Sequence, residues 1–221
     1  MPDPTIIFED DHIVVVNKPA GMIVYPDGKH DYPALSAWLE GKYKEHHFVH
    51  RIDRETSGVL LVAKTEKDFE FLKEQFKERE VRKVYRAFVQ GVIKDERGVI
   101  DKPIGTARGG AGPRSAQKPH GELRDALTAY RVIERGEGVT YVEVFPKTGR
   151  THQIRVHFSA VQHPIVCDRL YAPRRGTLLG FKRLALHALS LTVTHPTKGE
   201  VTFEAPLPAD FLQAEGELRN D

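Results

Sequence analysis

A charged cluster lies directly against a short apolar run in the stretch HRIDRETSGVLLVAK, residues 50–64. Five of its first six residues can carry charge, whereas the run from Val59 to Ala63 is entirely apolar. A short, continuous apolar run is typical of a strand that is buried on both faces. The chain must therefore fold around a buried strand that begins at a charged turn.

Strand patterns outnumber helix patterns along the rest of the chain. Further strands are predicted at residues 13–16, 22–25 and 83–93, with hairpins that turn at ERGEG (134–138) and HPTKG (195–199). Helices are predicted in DYPALSAWLEGKY (31–43), in the segment that Thr65 begins and Asp68 helps to cap, and in TGRTHQIRVHFSAVQ (148–162). Because these elements do not alternate one for one, the sequence favours an α+β fold with a large, mainly antiparallel sheet and flanking helices.

The chain of 221 residues, 40% of them hydrophobic, is long enough for one large domain or two closely packed halves. We predict a single domain over residues 1–221. Within it, residues 94–124 are rich in Gly, Pro and charge, and they predict a long loop. Such a loop is usually functional or mobile in a compact domain.

Composition excludes several classes of protein. The formal net charge is only +2, so any nucleic-acid surface must arise from local clustering of basic residues. The single cysteine, Cys167, forms neither an intramolecular disulfide nor a zinc site by itself. The N-terminus has no signal-peptide pattern, and no window approaches the ~20 apolar residues of a membrane helix. We therefore expect a cytoplasmic protein with no membrane association.

Motifs for bound metals and nucleotides are weak or absent. His152, His157 and His163 do not have the i, i+4 spacing of a zinc helix. The segment GGAGP lacks the Lys-Ser/Thr of a phosphate-binding loop, and no G-x-S-x-G elbow of a serine hydrolase occurs. The sequence therefore predicts neither a metal site nor a nucleotide cofactor.

Asp53 and Arg155 are the candidate reactive pair. Asp53 lies between Arg51 and Arg54, where the ordinary interpretation is a surface ion pair or a turn carboxylate, and the TSG that follows is ordinary turn chemistry. A second basic segment, GRTHQIRVH (149–157), places Arg155 at the edge of an apolar face. A half-buried arginine requires a carboxylate partner, and Asp53 is a candidate that spacing alone does not establish.

Basic residues also gather in three other places. These are residues 77–86, the loop with Arg108, Arg114 and Lys118, and RLYAPRR with FKR (169–175 and 181–183). Interleaved tyrosines suit contact with a nucleic-acid backbone and stacking on bases. A solvated charged face is the simpler interpretation of each cluster taken alone.

Together these segments resemble the RluA-type pseudouridine synthases, from about residue 6 to about residue 207. The matching motifs, in order, are NKPAGMIVYP (17–26), HRIDRETSGVLLVAK (50–64), RKVYRAFVQG (82–91), TGRTHQIRVH (148–157) and RLALHALSLTVTHP (183–196). In the second motif, Ile52 replaces the usual Leu. Since the first motif begins almost at the start, the chain resembles the smaller branch without an N-terminal RNA-binding domain.

The resemblance implies an isomerase that converts uridine within RNA to pseudouridine, in a central active-site cleft, with no cofactor or metal. Asp53 corresponds to the catalytic aspartate, Arg155 to its arginine partner and Tyr85 to the tyrosine at the target base. Substrate-binding residues are Arg51, which helps to displace the base, Thr56, and the apolar walls Ile154 and Leu186. The expected partner is ribosomal or transfer RNA, bound with its target base flipped, and the expected state is a monomer.

A non-catalytic RNA-binding module of the same fold is the alternative function. Its basic residues would position RNA through the phosphates, with steep salt dependence. Asp53 separates the two hypotheses, because a pure RNA-binding protein gains nothing from a carboxylate placed among phosphates.

Overall fold

The computed structural model describes residues 2–106, 114–117 and 119–220. The helices are α1 (Leu35–Glu40), α2 (Glu66–Lys77), α3 (Gln153–Ala160) and α4 (Ala209–Asn220). The strands are β1 (Thr5–Glu9), β2 (Ile13–Lys18), β3 (His47–Phe48), β4 (Ser57–Ala63), β5 (Arg82–Gln90), β6 (Arg97–Asp101), β7 (Ile104–Thr106), β8 (Arg114–Ser115), β9 (His120–Arg124), β10 (Leu127–Gly136), β11 (Val139–Pro146), β12 (Leu186–His195) and β13 (Gly199–Glu204).

The chain divides into two compact units. The first comprises Met1–Lys83 and His187–Leu207, and the second comprises Val84–Leu186 and Pro208–Asp221. The prediction of a single catalytic domain stays a prediction. No helix among the described residues is long and apolar enough to cross a membrane.

The sheet of the first unit is mixed. Its strands follow the order β1-β2-β4-β12, with β13 on β12 and β3 on β4. Among these strand pairs, as the described residues show them, β4–β12 is parallel and the others are antiparallel. Strand β4 is buried throughout and β2 nearly so, which agrees with the apolar runs at Val59–Ala63 and Ile13–Val16. Helix α2 packs on β4 and buries Leu72, and Thr65 caps it by accepting a hydrogen bond from the Asp68 amide.

The sheet of the second unit is antiparallel, in the order β5-β11-β10-β6, and a smaller sheet follows the order β8-β7-β9. Helix α3 contacts β10, β11 and β8. The two units together confirm the predicted class, α+β with a large, mixed, mainly antiparallel sheet and flanking helices.

Residues 94–124 differ from the loop that the sequence predicted. In the described parts they contain β6, β7, β8 and β9. Strand β6 pairs with β10, outside the segment, whereas β7 pairs with β8 and β9 inside it, and none of the four has the strong apolar pattern that would reveal a strand. Arg108 and Lys118, which belong to the basic cluster predicted there, lie outside the described residues.

Two smaller differences concern local structure. The predicted strand at residues 22–25 is wrong, because only an isolated bridge joins Ile23 to Ala34. Helix α4 was not predicted, and its Phe211 is buried against Phe88 and Phe181. The position of α4 therefore depends on tertiary packing, which the local sequence does not reveal.

Candidate active site

Asp53 lies in the turn between β3 and β4, in the first unit. We call residues 49–56 the Asp53 turn. Ile52 is buried, Asp53 is half-buried and Arg51 is exposed, so the turn is anchored through its apolar residue and leaves polar groups near the surface. The Thr56 amide donates to the Asp53 carbonyl oxygen at 3.1 Å, and Thr56 is itself buried. The backbone on both sides of the carboxylate is therefore fixed.

The arginines beside Asp53 do not form the local ion pair that the ordinary interpretation expected. Arg54 pairs with Glu55 at 2.7 Å, and its guanidinium lies 4.1 Å from the centre of the Tyr32 ring. Arg51 forms no ion pair with any residue in the described ranges. The turn therefore keeps Arg51 available to solvent or to a ligand.

A fully buried lysine at the end of β2, Lys18, forms a hydrogen bond to the backbone of the Asp53 turn. Lys18 Nζ donates to the carbonyl oxygens of Pro19 at 2.9 Å, Met22 at 2.8 Å and Arg54 at 3.2 Å. The Gly21 amide donates to the same Arg54 oxygen at 2.8 Å. A buried ammonium is costly unless hydrogen bonds satisfy it, and these carbonyls do so. The segment NKPAG thus fixes the peptide next to Asp53, a role that sequence reasoning missed.

The TSG segment is not ordinary turn chemistry, because Ser57 and Gly58 begin β4. Gly58 pairs in parallel with Ala188 of β12, and it has a φ of +116°. A Cβ built on Gly58 would overlap the Ala188 carbonyl oxygen. Ser57 Oγ and His187 Nδ1 are 2.8 Å apart, so the LHA segment also helps to fix the turn. Glycine is needed here for close backbone approach.

His50 is a structural residue of the motif. Its Nε2 accepts a hydrogen bond from the Leu61 amide at 3.0 Å, and its ring stacks on Phe76 at 4.8 Å. Burial lowers the pKa of His50 to about 3, with a smaller contribution from the charge of Lys83. Burial also lowers the pKa of Lys83 to about 8. The neutral imidazole therefore serves β4 as a hydrogen-bond acceptor.

In the second unit, Gln153 fixes the start of α3. Its Oε1 accepts from Thr148 Oγ1 at 2.6 Å and from the Arg150 amide at 3.0 Å. Its Nε2 donates to the Leu127 carbonyl and to Thr128 Oγ1, both at 3.0 Å. A buried amide with all of these bonds holds the helix against β10.

Arg155 is buried in α3 and has a carboxylate partner, as its burial required. Its Nε and Nη2 donate to the two carboxylate oxygens of Asp168 at 2.8 and 2.9 Å. Asp168 Oδ1 also accepts from the amides of Leu170 and Tyr171, each at 3.0 Å. Sequence reasoning did not identify Asp168, and the pairing of Arg155 with Asp53 stays a prediction.

His157 also has structural partners. Its Nδ1 lies 2.9 Å from Thr128 Oγ1, and its Nε2 lies 3.0 Å from the Lys102 carbonyl oxygen. Burial lowers the pKa of this imidazole. Among the described residues, no group of three or more His, Cys, Asp and Glu side chains is placed to hold a metal ion.

The predicted site residues fall into two groups. The Asp53 turn brings together Arg51, Asp53 and Thr56 in the first unit. The second unit holds the half-buried Tyr85 on β5, opposite Val144, and the buried residues Ile154, Arg155 and Leu186. The first group presents a half-buried carboxylate on a rigid backbone, which suits either a nucleophile or a general base.

Comparisons with known proteins agree on one family. A family model described as RNA pseudouridylate synthase matches residues 12–160. The ribosomal large subunit pseudouridine synthase D of Pseudomonas aeruginosa is 39% identical, over 98% of this chain and 72% of that protein. The uncharacterized RNA pseudouridine synthase YlyB of Bacillus subtilis is 38% identical, over 99% of this chain and 74% of that protein.

A solved structure extends the likeness to the fold. Human RNA pseudouridylate synthase domain containing 1 superposes with a TM-score of 0.78 and 31% sequence identity. The match covers 93% of this chain and 84% of the human one. Sequence and structure therefore indicate the same relationship over almost the entire chain.

Proposed function

The chain belongs to the RNA pseudouridylate synthase family, and we propose that it isomerises uridines in ribosomal RNA with Asp53 as its catalytic carboxylate. It is an isomerase that acts on uridine within RNA. The observation that carries the assignment to Asp53 is the rigid Asp53 turn, which holds a half-buried carboxylate through Thr56, Lys18 and β4. The name of the Pseudomonas relative supports ribosomal RNA as the substrate.

The reaction rearranges bonds without a net loss of atoms. The bond from N1 of uracil to C1′ of the ribose breaks, the base turns, and a bond forms between C5 and C1′. N1 gains a proton and C5 loses one. Asp53 begins this sequence either by attacking the sugar or by removing a sugar proton, and both routes require its ionised form.

Two residues of the second unit complete the proposed machinery. Tyr85 is assigned to the target base, where its ring stacks and its hydroxyl assists removal of the C5 proton. Arg155 is assigned to the catalytic carboxylate, in addition to its bond with Asp168. Both assignments, and the central cleft that they imply, rest on the family motifs RKVYRAFVQG and TGRTHQIRVH.

The remaining residues bind the substrate. Arg51, exposed on the Asp53 turn, takes the place of the base when the uridine is flipped out of its stack. Thr56 supports the turn, and Ile154 and Leu186 form apolar walls for the base. Flipping costs least in loops and single strands, so we expect target uridines in structured RNA with unpaired nucleotides, including transfer RNA.

The proposal includes the conditions in which the protein works. The chemistry above uses the chain's own side chains and needs no added cofactor. We propose that the protein works in the cytoplasm, where a free thiol such as that of Cys167 stays reduced. We expect the chain to act as a monomer.

Mapping of new pseudouridines tests the substrate assignment. Unmodified ribosomal and transfer RNA transcripts are incubated with wild-type protein or with Asp53→Asn, and pseudouridine is mapped at nucleotide resolution. We expect discrete sites in ribosomal RNA with the wild type and none with Asp53→Asn. Sites in transfer RNA alone would replace the ribosomal assignment, and an absence of sites in both RNAs would contradict the proposed function.

A further inference from the structure

Charge is distributed unevenly along the second unit. Residues 144–186 carry eight of the chain's 33 Lys and Arg but only one of its 31 Asp and Glu, namely Asp168. Asp168 is buried and neutralises Arg155, while Arg183 pairs with Asp210 of α4 at 2.7 Å. The remaining cations of this segment have no acidic residue of the segment to balance them.

We call residues 169–182 the basic strap. Its sequence, RLYAPRRGTLLGFK, contains no acidic residue. Its exposed cations are Arg169, Arg174, Arg175 and Lys182, and none of them forms an ion pair within the described part of the chain. Exposed cations without counter-charges attract a polyanion from a distance.

The strap is held in place by its backbone and its apolar residues. Asp168 Oδ1 accepts hydrogen bonds from the amides of Leu170 and Tyr171. Gln90 Nε2 donates a hydrogen bond to the Gly176 carbonyl oxygen at 3.1 Å. Phe181 is buried against Phe88. Because the strap is already ordered, a ligand does not have to supply the free energy that would order it.

The tyrosine ring of the strap, like the buried Phe181, is already used within the protein. The Tyr171 hydroxyl accepts from the Arg114 amide at 3.2 Å and lies 2.9 Å from His152 Nδ1. Its ring centre lies 5.1 Å from the Arg155 guanidinium. The strap therefore offers cations for phosphates but no free ring for stacking on bases.

We propose that the basic strap binds the phosphodiester backbone of RNA, independently of base sequence, and so anchors the substrate through nucleotides that are not the target. The inference rests on the proposed function, since it names a surface that holds the same substrate. It predicts that the strap contributes to affinity through counterion release and to neither base readout nor chemistry.

The helix α2 provides a matched control. It carries the exposed cations Lys67, Lys73 and Lys77, followed by Arg79, but they lie among acidic residues. Lys73 pairs with Glu70 and Lys77 with Glu74, each at 2.7 Å. Replacing these four cations changes the net charge as much as replacing those of the strap.

The test measures binding of a labelled 20-nucleotide oligouridine by fluorescence anisotropy, from 50 to 300 mM salt. We expect R169Q/R174Q/R175Q/K182Q to lower affinity at least tenfold at ~0.1 M salt and to reduce the salt slope by ~3, near 0.7 for each lost contact. The control K67Q/K73Q/K77Q/R79Q should remain within about twofold of the wild type. The smaller variant R174Q/R175Q should show about half of the change in salt slope that the quadruple variant shows. It tests the inference even if the quadruple variant folds poorly.

Several results would overturn the inference. They are an equal loss in the α2 control, an unchanged salt slope in the strap variants, or displacement of the RNA by polyglutamate of equal length as readily as by oligoadenylate. Isomerisation is measured in the same preparations. A wild type that binds through the strap but isomerises no uridine contradicts the proposed function and leaves the strap assignment standing.

Discussion

The Asp53 turn and helix α3 each carry residues of the predicted site, but different kinds of contact hold them. Backbone groups fix the turn, because its Arg54 carbonyl oxygen accepts hydrogen bonds from Lys18 Nζ and the Gly21 amide, and Gly58 just beyond it lies close to Ala188. Side chains fix α3, through Gln153, His157 and the Arg155–Asp168 pair. We therefore expect the turn to be sensitive to substitutions that alter the backbone, such as a replacement of glycine. We expect α3 to be sensitive to substitutions that leave a buried polar side chain without its hydrogen-bond partner.

The first prediction tests the backbone side of the comparison. Gly58→Ala should cost more than about 4 kcal/mol of unfolding free energy, because its Cβ would overlap the Ala188 carbonyl and separate β4 from β12. Gly138→Ala is the control, since Gly138 also has a positive φ of 68° but has no atom within 4 Å of an added Cβ. It should cost only about 1–2 kcal/mol. Urea unfolding measures both, and equal losses would contradict the argument from close approach.

The second prediction tests the buried side-chain contacts of α3. Arg155→Ala should cost about 3–5 kcal/mol, because it leaves the Asp168 carboxylate buried without its partner. Arg155→Met combined with Asp168→Asn should recover much of that loss, since the amide oxygen can still accept from Leu170 and Tyr171. Arg54→Ala, which removes the more exposed pair with Glu55, should cost less than about 1 kcal/mol. An Arg155→Ala protein that melts like the wild type would exclude a stabilising buried pair.

The third prediction concerns pH and has the smallest effect. Since the folded pKa of His50 is about 3 and the unfolded value is near 6.5, the unfolded state binds the extra proton between those values. Its contribution to stability is complete above pH ~6.5 and is lost as the pH falls toward 3. His50→Gln keeps an acceptor for the Leu61 amide but does not titrate.

Urea unfolding at pH 7, 6 and 5 checks this expectation. Wild-type stability should fall more steeply than that of His50→Gln, by at most about 1.4 kcal/mol per pH unit. The difference isolates His50, because both proteins contain His157 and His195, whose pKa values burial also lowers. Parallel slopes would show that His50 is not a buried neutral base.

The sequence predicted the parts of the fold that local patterns determine. The apolar run of β4, the Thr65 cap of α2 and the hairpins of β10–β11 and β12–β13 all have short-range signals. The sequence predicts a loop at residues 97–101 and 120–124, because β6 and β9 are defined by their pairing with β10 and β7 rather than by an apolar pattern of their own. The local sequence pattern does not show which strands pair with one another.

The candidate site was predictable in its motif residues but not in their supports. Asp53 and Arg155 stand in recognisable segments, whereas Ser57 meets His187 across 130 residues of sequence. Lys18 had one signal, a charged residue at the end of an apolar strand, which a solvated surface lysine explains equally well. Asp168 is the only acidic residue in the basic sequence from 144 to 186. A lone acidic residue in such a sequence could have been predicted to pair with a buried arginine.

Release of tritium from RNA that carries tritium at C5 of uridine is the most direct test of the central claim, because C5 must lose its hydrogen when it bonds to C1′. We predict release from ribosomal RNA by the wild type, and no release by Asp53→Asn that melts within a few degrees of the wild type. Release by Asp53→Asn at the wild-type rate, or none by the wild type, would contradict the account.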